Sequence, residues 1–405
     1  MATKTYPCKA CGAKLEFAPG QHALKCPYCG AENEIASADQ SEVAAAVEEL
    51  DYASYLAQQA GAEPQLERQA VKCTGCGAAS QLPANVTADR CPFCAAPLIA
   101  SNAYASRQIR PRAIAPFEIK QADARERFKR WIDGLWFAPS ALKTSYRTEN
   151  GLKGCYLPYW TYDAASNTPY RGERGDYYTV TEQYMENGVS KTRQVQKIRW
   201  SPAAGVVSLT FDDLLIPASS SLPREQADAL QPWQLEKLTA YRDDFVSGFT
   251  VEAYQLGLEA GFGQARDIME AAIRSAIARD IGGDQQRIHE MQPHYHAIRF
   301  KHILLPLWLS SYRYGGKTYR FLVNGQTGEV QGERPWSIWK IALLVLAVLL
   351  GGFLVLVVGD GRSRTEMKAS FEVSALSLPL DSTPRNTQTQ YDPFSIQQAI
   401  SLAET

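Results

Sequence analysis

The sequence has almost no net charge, and this limits the partners that its surface can attract. Its 405 residues include 42 Lys and Arg against 43 Asp and Glu, which leaves a formal charge of −1. Proteins that bind nucleic acid usually carry a basic excess on one domain, so no global nucleic-acid surface is predicted. Hydrophobic residues make up 45% and charged residues 21%, which is ordinary for a folded chain of two or three domains.

The sequence also lacks a secretory signal. Residues 1–35 contain no charged segment followed by an apolar one. Disulfide frameworks belong to secreted chains, so the cysteines are not expected to form one. The prediction is a reducing compartment, with the N-terminal part of the chain in the cytoplasm.

Motifs for nucleotide hydrolysis and nucleophilic catalysis are missing as well. Residues 315–318 read GGKT and end like a phosphate-binding loop, but the position of its first glycine is Ser311. His289, His294 and His296 lie near one another in the sequence, and no carboxylate completes a metal site with them. No Ser/His/Asp or paired-carboxylate arrangement can be singled out. The chain is therefore not expected to be an enzyme.

Eight of the nine cysteines, in contrast, repeat one spacing. Two CxxC pairs separated by fourteen residues occur twice, with the second copy 65 residues after the first. The positions are Cys8, Cys11, Cys26 and Cys29, then Cys73, Cys76, Cys91 and Cys94. Two CxxC pairs together close an all-sulfur tetrahedron around one metal ion and leave no open position. The pattern predicts two structural zinc ions, one in each of two zinc ribbons at 1–35 and 71–100.

A redox site is the main alternative for a CxxC pair, but such sites occur singly on a βαβ unit rather than in doubled quartets. Segments of about thirty residues bury too little apolar surface to fold alone. A zinc ion contributes about 10–16 kcal/mol in small zinc modules, so the metal is expected to hold each ribbon together. The ninth cysteine, Cys155, lies in an apolar motif without a neighbouring base and is expected to be an inert buried thiol.

The longest hydrophobic run lies near the C terminus. Residues 341–359 are nineteen positions without a charge, and as a helix they would span about 28 Å, close to the thickness of a bilayer. The prediction is a transmembrane helix at 337–359, with a buried core helix as the alternative. With cytoplasmic ribbons, this topology implies a single-pass protein of the inner (cytoplasmic) membrane. Residues 360–405 would then lie across the membrane, unless Gly351-Gly352 marks a re-entrant bend, and their polar composition without periodicity predicts disorder.

The remaining residues divide into a linker and one larger domain. Residues 36–70 are acidic, with apolar positions at helical spacing, which predicts a helical spacer from about 41 to 60. Residues 101–335 are predicted to form an α+β domain with mainly antiparallel strands. Its predicted helices are 121–133 and 262–281. The alternation typical of strands is clearest in 177–184, 194–200 and 312–323, with turns predicted at Gly315-Gly316 or Asn324-Gly325. The predicted fold is multidomain: two small zinc ribbons, this α+β domain and one C-terminal transmembrane helix.

Two short segments of the larger domain resemble each other. Residues 154–160 read GCYLPYW and residues 303–308 read ILLPLW. Because proline removes a ladder hydrogen bond, each segment is expected to begin a strand or lie at a sheet edge. A repeated half-domain and a chance similarity both remain open.

The order of motifs along the chain resembles a family of bacterial zinc-ribbon membrane proteins. Its most specific parts are the cysteine quartets and the segment VNGQTGEV at 323–330, followed by RPW at 334–336; YLPYWTYD at 156–163 also matches. Members are labelled as primosomal protein N-prime (replication factor Y)-like or transcription-factor-IIB-type zinc-ribbon proteins. The resemblance implies a membrane-anchored accessory protein, associated with phage-shock-type membrane scaffolds and SPFH-domain proteins.

Three classes of function are open at the level of the sequence. The favoured one is a non-enzymatic adaptor or scaffold that is anchored in the lipid bilayer and binds protein partners at the cytoplasmic membrane face. The alternative is a nucleic-acid-binding zinc-ribbon protein linked to replication or transcription. It draws on the modestly basic first ribbon, which carries Lys4, Lys9, Lys14 and Lys25. A membrane-associated enzyme built on the α+β domain is the third.

Overall fold

The computed structural model describes most of the chain. The described ranges are 6–35, 39–58, 65–81, 88–94, 96–99, 103–139, 152–314 and 317–360. The polar tail predicted after residue 360 lies outside the described residues.

The helices are short except for two. They are α1 Gln40–Val47, α2 Tyr52–Gln58, α3 Gln121–Gly134, α4 Arg224–Asp228, α5 Leu258–Ile281 and α6 Ile338–Asp360, with a 3-10 helix at Leu235–Lys237. The helices predicted at 121–133 and 262–281 correspond to α3 and α5.

Within the described ranges, the strands fall into four sheets, of which three belong to the ribbons and their surroundings. The first ribbon contains β1 Glu16–Ala18, β2 Ala23–Lys25 and β3 Glu32–Glu34. Around the second ribbon lie β5 Gln65–Lys72, β6 Ala79–Gln81, β7 Ala88–Arg90, β8 Pro97–Ile99 and β9 Ala103–Ile109.

A ten-stranded sheet forms the body of the molecule. Its strands are β4 Leu50–Asp51, β10 Ala113–Ile114, β11 Lys153–Glu186, β12 Val189–Pro217, β13 Thr239–Ala240, β14 Thr250–Val251, β15 Gln285–Met291, β16 His294–Tyr314, β17 Lys317–Asn324 and β18 Val330–Gly332. The central order is β12-β11-β16-β10-β13. The pairs β10 with β16 and β14 with β11 are parallel, and the other described pairs of this sheet are antiparallel.

Alternate residues of the central strand β11 pack into different cores, because successive side chains of a strand point to opposite faces of the sheet. Leu157 and Tyr159 pack in a core that includes the second ribbon. Trp160 and Tyr162 pack on the other face, in the core of α5. Tyr156, also on that face, joins a third core with the first ribbon and α3. One strand thus contributes side chains to the three largest cores of the described residues.

The two resembling segments pair with each other in the middle of this sheet. The prediction that they would begin strands or lie at an edge is wrong, because Pro158 and Pro306 lie inside β11 and β16. Each proline nevertheless lies where a neighbouring strand ends, so the N–H that proline lacks is not needed there. Beside Pro158, β12 ends at Pro217, and beside Pro306, β17 ends at Asn324. Each missing N–H therefore falls where the neighbouring ladder stops.

The acidic linker is not the single helix predicted at 41–60. It contains α1, the two-residue strand β4 and α2. Leu50 and Asp51 of β4 pair with Phe300 and Arg299 of β16, and the ring of Tyr55 packs 4.8 Å from that of Phe300. The apolar stripe seen in the sequence thus packs on the chain's own sheet. The linker breaks because strand hydrogen bonds to β16 replace helical ones at this point.

The prediction of a transmembrane helix at 337–359 is wrong. In the part of the chain that the structure describes, no helix is both long enough and apolar enough to cross a membrane. The single-pass membrane topology was predicted from this segment alone, so the described residues give it no support either.

Candidate metal centres

Each cysteine quartet folds into one compact group. Within a group, the four Sγ atoms lie within 4.8 Å of one another. The first group contains Cys8, Cys11, Cys26 and Cys29, and the second contains Cys73, Cys76, Cys91 and Cys94. The structure thus brings together the same two sets of four that the spacing indicated.

The sulfur–sulfur distances distinguish a metal centre from a pair of disulfides. They are 3.6 Å for Cys8 to Cys29 and 3.5 Å for Cys11 to Cys26. The second group shows 3.5 Å and 3.6 Å for its two corresponding pairs. A disulfide requires about 2.05 Å, whereas a tetrahedral ion bound at about 2.3 Å has sulfur–sulfur edges of about 3.8 Å. The donor sets therefore fit a tetrahedral, thiolate-bound ion.

Tight backbone turns hold the cysteines in place. The N–H groups of Cys8 and Cys73 each donate to a carbonyl five residues later, at 2.7 Å in both ribbons. The glycine that follows each first CxxC pair donates back to the carbonyl of the first cysteine, at 2.8 Å for Gly12 and 2.9 Å for Gly77. Both glycines have a left-handed backbone, with φ of 75° and 79°. A side chain would strain this turn, so glycine is required there.

Hydrogen bonds lower the pKa of one or more thiols in each centre. The backbone N–H of Cys29 lowers the pKa of Cys26 to about 6, against the effect of burial. In the second centre, hydrogen bonding from the Cys91 thiol lowers the pKa of Cys76 to about 5. The thiolate is the form that binds metal. Each centre therefore includes a cysteine whose metal-binding thiolate form is favoured at neutral pH.

The second centre is more enclosed than the first. Cys11 and Cys29 are exposed, whereas Cys76 and Cys94 are partly buried. Next to the second centre, Phe93 is fully buried in a core that it shares with Leu157 of β11. The second ribbon is thus continuous with the main core.

One segment of the sheet domain contacts both ribbons. The Ser247 hydroxyl donates to the Leu15 carbonyl of the first ribbon at 2.7 Å. Six residues later, the Ala253 N–H donates to the Ala79 carbonyl beside the second ribbon at 2.9 Å. The two metal centres are therefore docked on one body, and the sequence held no signal for this arrangement.

Glu252 is a buried acid of this segment that sequence reasoning missed. It is 1% exposed, and its Oε1 accepts hydrogen bonds from the Ser221 hydroxyl and from the Gln255 amide. Burial raises the pKa of Glu252 to about 8, and the negative charge of Cys76 adds to this effect. Its neighbours come from distant parts of the chain, so no local pattern would have found it.

Other residues named from the sequence lie apart from the metal centres. Lys317 begins β17 and is exposed. His289 lies 3.4 Å from a carboxylate oxygen of Glu173, and among the described residues it forms no metal-binding group with His294 and His296. Burial raises the pKa of Cys155 well above its usual value, as expected for an inert thiol.

Comparisons with known proteins give one informative similarity. No family model matches this chain, and no solved structure matches it. The chain is similar to a protein of Bacillus subtilis (strain 168) named uncharacterized protein YdjG. The two are 25% identical over 364 residues, which cover 87% of this chain and 96% of the relative. The similarity thus extends over most of both chains, and the name of the relative states no activity.

Proposed function

We propose that each four-cysteine centre holds one zinc ion and that the chain is a non-enzymatic adaptor that binds protein partners. Thiolate ligands in tetrahedral geometry suit zinc. Four protein ligands leave no coordination position for water or substrate. The metal would then stabilise the ribbons rather than perform chemistry.

The adaptor proposal rests on a two-stranded arm, which is formed by residues 176–186 of β11 and residues 189–199 of β12. β15 pairs with β11 as far as Gly175, and beyond it only β12 accompanies β11 within the described residues. The two strands continue to a turn at Asn187 and Gly188. The eleven residues 176–186 of β11 extend over about 35 Å. Isolated two-stranded hairpins are marginally stable, so an arm of this length needs support from its own side chains or from a partner.

On one face of the arm, ion pairs between the two strands stabilise the hairpin. Lys191 lies 2.7 Å from a carboxylate oxygen of Glu186, and Lys197 lies 2.7 Å from one of Glu182. The guanidinium of Arg193 lies over a tyrosine ring at 5.6 Å. These residues are exposed or half-buried, so each pair contributes about 0–1 kcal/mol. Together they keep the two strands in register.

The opposite face of the arm carries no charge. It consists of Tyr177, Thr179, Thr181, Gln183 and Met185 of β11 with Ser190, Thr192, Gln194, Gln196 and Ile198 of β12. Met185 is 70% exposed and Tyr177 is 41% exposed. Interface cores are depleted in charge and enriched in Tyr and Met, so this uncharged face suits a protein partner.

Nucleic acid is a weaker candidate as the partner. Lys25, one of the lysines that make the first ribbon basic, is paired with Glu32 at 2.8 Å. Phosphate binding depends on unpaired cations. The family resemblance implies phage-shock-type scaffold proteins and SPFH-domain proteins, and these are the first partners to test.

The test compares two charges added at the tip of the arm. Met185→Glu places a carboxylate on the uncharged face, whereas Val189→Glu places one on the charged face, where the parent residue is 60% exposed. We expect Met185→Glu to weaken binding of a purified phage-shock-type scaffold or SPFH-domain protein at least tenfold, about 1.4 kcal/mol. Val189→Glu is expected to stay within about twofold. Calorimetry with the zinc-loaded full chain measures both.

Equal affinities for the two variants would remove the uncharged face from the proposal. Tight, salt-sensitive binding of duplex DNA by the full chain, with no binding of either protein, would favour the nucleic-acid alternative instead.

A further inference from the structure

Two β-bulges lie at consecutive residues of β11, Asp163 and Ala164, in the centre of the sheet. Opposite Asp163 of β11, strand β12 has two residues, Asp212 and Asp213. On the other side, Ala297 and Ile298 of β16 lie opposite a single residue of β11. Asp213 and Ala297 have left-handed backbones, with φ of 49° and 51°. Bulges redirect side chains and are common beside functional sites.

The bulge of β12 brings acidic side chains together. One carboxylate oxygen each from Glu49, Asp163 and Asp212 lies within 4.8 Å of the others. Glu49 comes from the linker between the ribbons, next to β4, so three distant segments supply these groups. Like charges repel at this distance, and the arrangement requires a positive charge or a proton among the oxygens.

Asp163 is the buried member of this cluster. It is 8% exposed, and its Oδ1 accepts a hydrogen bond from the Asp213 N–H at 2.5 Å. Its Oδ2 is buried and has no hydrogen-bond partner among the described residues. An unpaired buried carboxylate oxygen is costly, typically by about 1–3 kcal/mol or more. One of the two oxygens of Asp163 lies in the group whose other members are Glu49 and Asp212.

The cations of the protein at this place serve other carboxylates. Lys301 lies 2.6 Å from Asp213 and 3.4 Å from Glu49, and Arg299 lies 3.6 Å from Glu49. Four carboxyl groups thus face two cations, so ionisation of all four leaves an excess of two negative charges. None of these ion pairs involves Asp163 or Asp212. The excess equals the charge of one divalent metal ion.

The geometry points to a binding site for one divalent cation of the magnesium and calcium class, held by Glu49, Asp163 and Asp212. Such hard cations take carboxylate oxygens and complete their coordination with water. Asp212 is exposed and gives the ion a path from solvent. The thiolate centres select softer ions, so the two kinds of site would not compete for one metal. The bound ion would fasten the linker to β11 and β12.

The experiment uses the full chain with its thiolate-bound metal retained and Mn²⁺ as the probe. We expect about one equivalent of Mn²⁺ to bind, as followed by electron paramagnetic resonance, and Mg²⁺ or Ca²⁺ to displace it. Asp212→Asn removes an exposed ligand without disturbing the core and should weaken binding at least tenfold. Asp163→Asn should weaken it further. Asp176→Asn removes a half-buried carboxylate from the same strand β11 and should leave binding unchanged.

A thermal shift gives a second readout. Magnesium should raise the melting temperature of the parent and of Asp176→Asn but not that of Asp212→Asn, because only a bound ion stabilises the fold. The proposal is overturned if the parent binds no Mn²⁺ at millimolar concentration, which would leave a shared proton among the carboxylates. It is also overturned if Asp212→Asn binds Mn²⁺ as well as the parent does.

Discussion

Single residues in the interior of the sheet are held in their neutral forms by burial. His302 is 1% exposed and stacks on Trp160, with ring centres 5.7 Å apart. Burial lowers the pKa of His302 to about 3 and raises that of Glu252 to about 8. The two shifts have opposite signs and one cause, since a low-dielectric interior disfavours charge of either sign.

His302 should make the protein less stable in mild acid. The unfolded chain binds a proton at this histidine below about pH 6.5, whereas the folded chain does so only below about pH 3. Because the unfolded state binds more protons in this window, the free energy of unfolding falls as the pH falls. The loss from this group is about 2 kcal/mol between pH 6.5 and 5. Urea unfolding of His302→Phe should therefore show a flatter pH dependence than the parent.

His294→Phe is the matched control, because His294 is an exposed histidine of the same strand β16. Its pH dependence should follow that of the parent. An equally steep loss of stability in His302→Phe and the parent would show that His302 is not the group responsible.

At the scale of elements, the two ribbons are attached to the sheet in different ways. The first ribbon docks an aromatic side chain, with Phe17 and Phe245 rings 5.4 Å apart, while two of its cysteines are exposed. The second ribbon places Cys91 and Phe93 inside the core that also contains Leu157. Loss of one metal is therefore expected to have a different consequence from loss of the other.

Replacing two cysteines in each ribbon tests this difference. Cys26→Ser with Cys29→Ser, and Cys91→Ser with Cys94→Ser, should each remove one of two zinc equivalents. The second pair should lower the free energy of unfolding by about 1 kcal/mol or more beyond the first pair, because all four cysteines of the second centre are at least partly buried whereas Cys11 and Cys29 are exposed. Zinc content and the free energy of unfolding are measured on the same samples.

Equal stability of the two double variants would mean that the second ribbon unfolds without disturbing the sheet. Full zinc content in either variant would contradict the assignment of those cysteines as ligands.

At the scale of the whole molecule, the ribbons, the linker and the arm all connect to one sheet. The replication-factor function that the sequence resemblance suggests would require a nucleotide-driven motor. In this chain Lys317, the lysine of the GGKT segment, is exposed at the start of a strand. A phosphate-binding loop instead places its lysine at the start of a helix, where backbone amides converge on the phosphate.

We therefore expect the purified full chain to hydrolyse no ATP. Lys317→Ala should change the free energy of unfolding by less than about 0.5 kcal/mol, as is usual for an exposed side chain. A phosphate-release assay and urea unfolding measure the two quantities. ATPase activity that disappears in Lys317→Ala would restore the enzyme hypothesis.

Local spacing was sufficient to predict the metal centres and the main helices. The two quartets are recognisable because each pair of cysteines in one tight turn has two residues between its members, and this spacing is visible in the sequence. The helix α5 was predictable because its apolar positions recur with the helical period. The strands at 177–184 and 194–200 followed from alternation in the same way, although their pairing into one long arm did not.

Long-range packing decided the rest. The linker became two helices and a strand because an edge of β16 was available to Leu50 and Asp51. The acidic cluster at Asp163 depends on bulges that appear only when β11 lies between β12 and β16. Such features have no local signal, because their free energy comes from groups that are far apart in the chain and meet only in the folded sheet. The apolar run at 341–359 shows the reverse case, in which a strong local pattern predicted a membrane helix that the described structure does not contain.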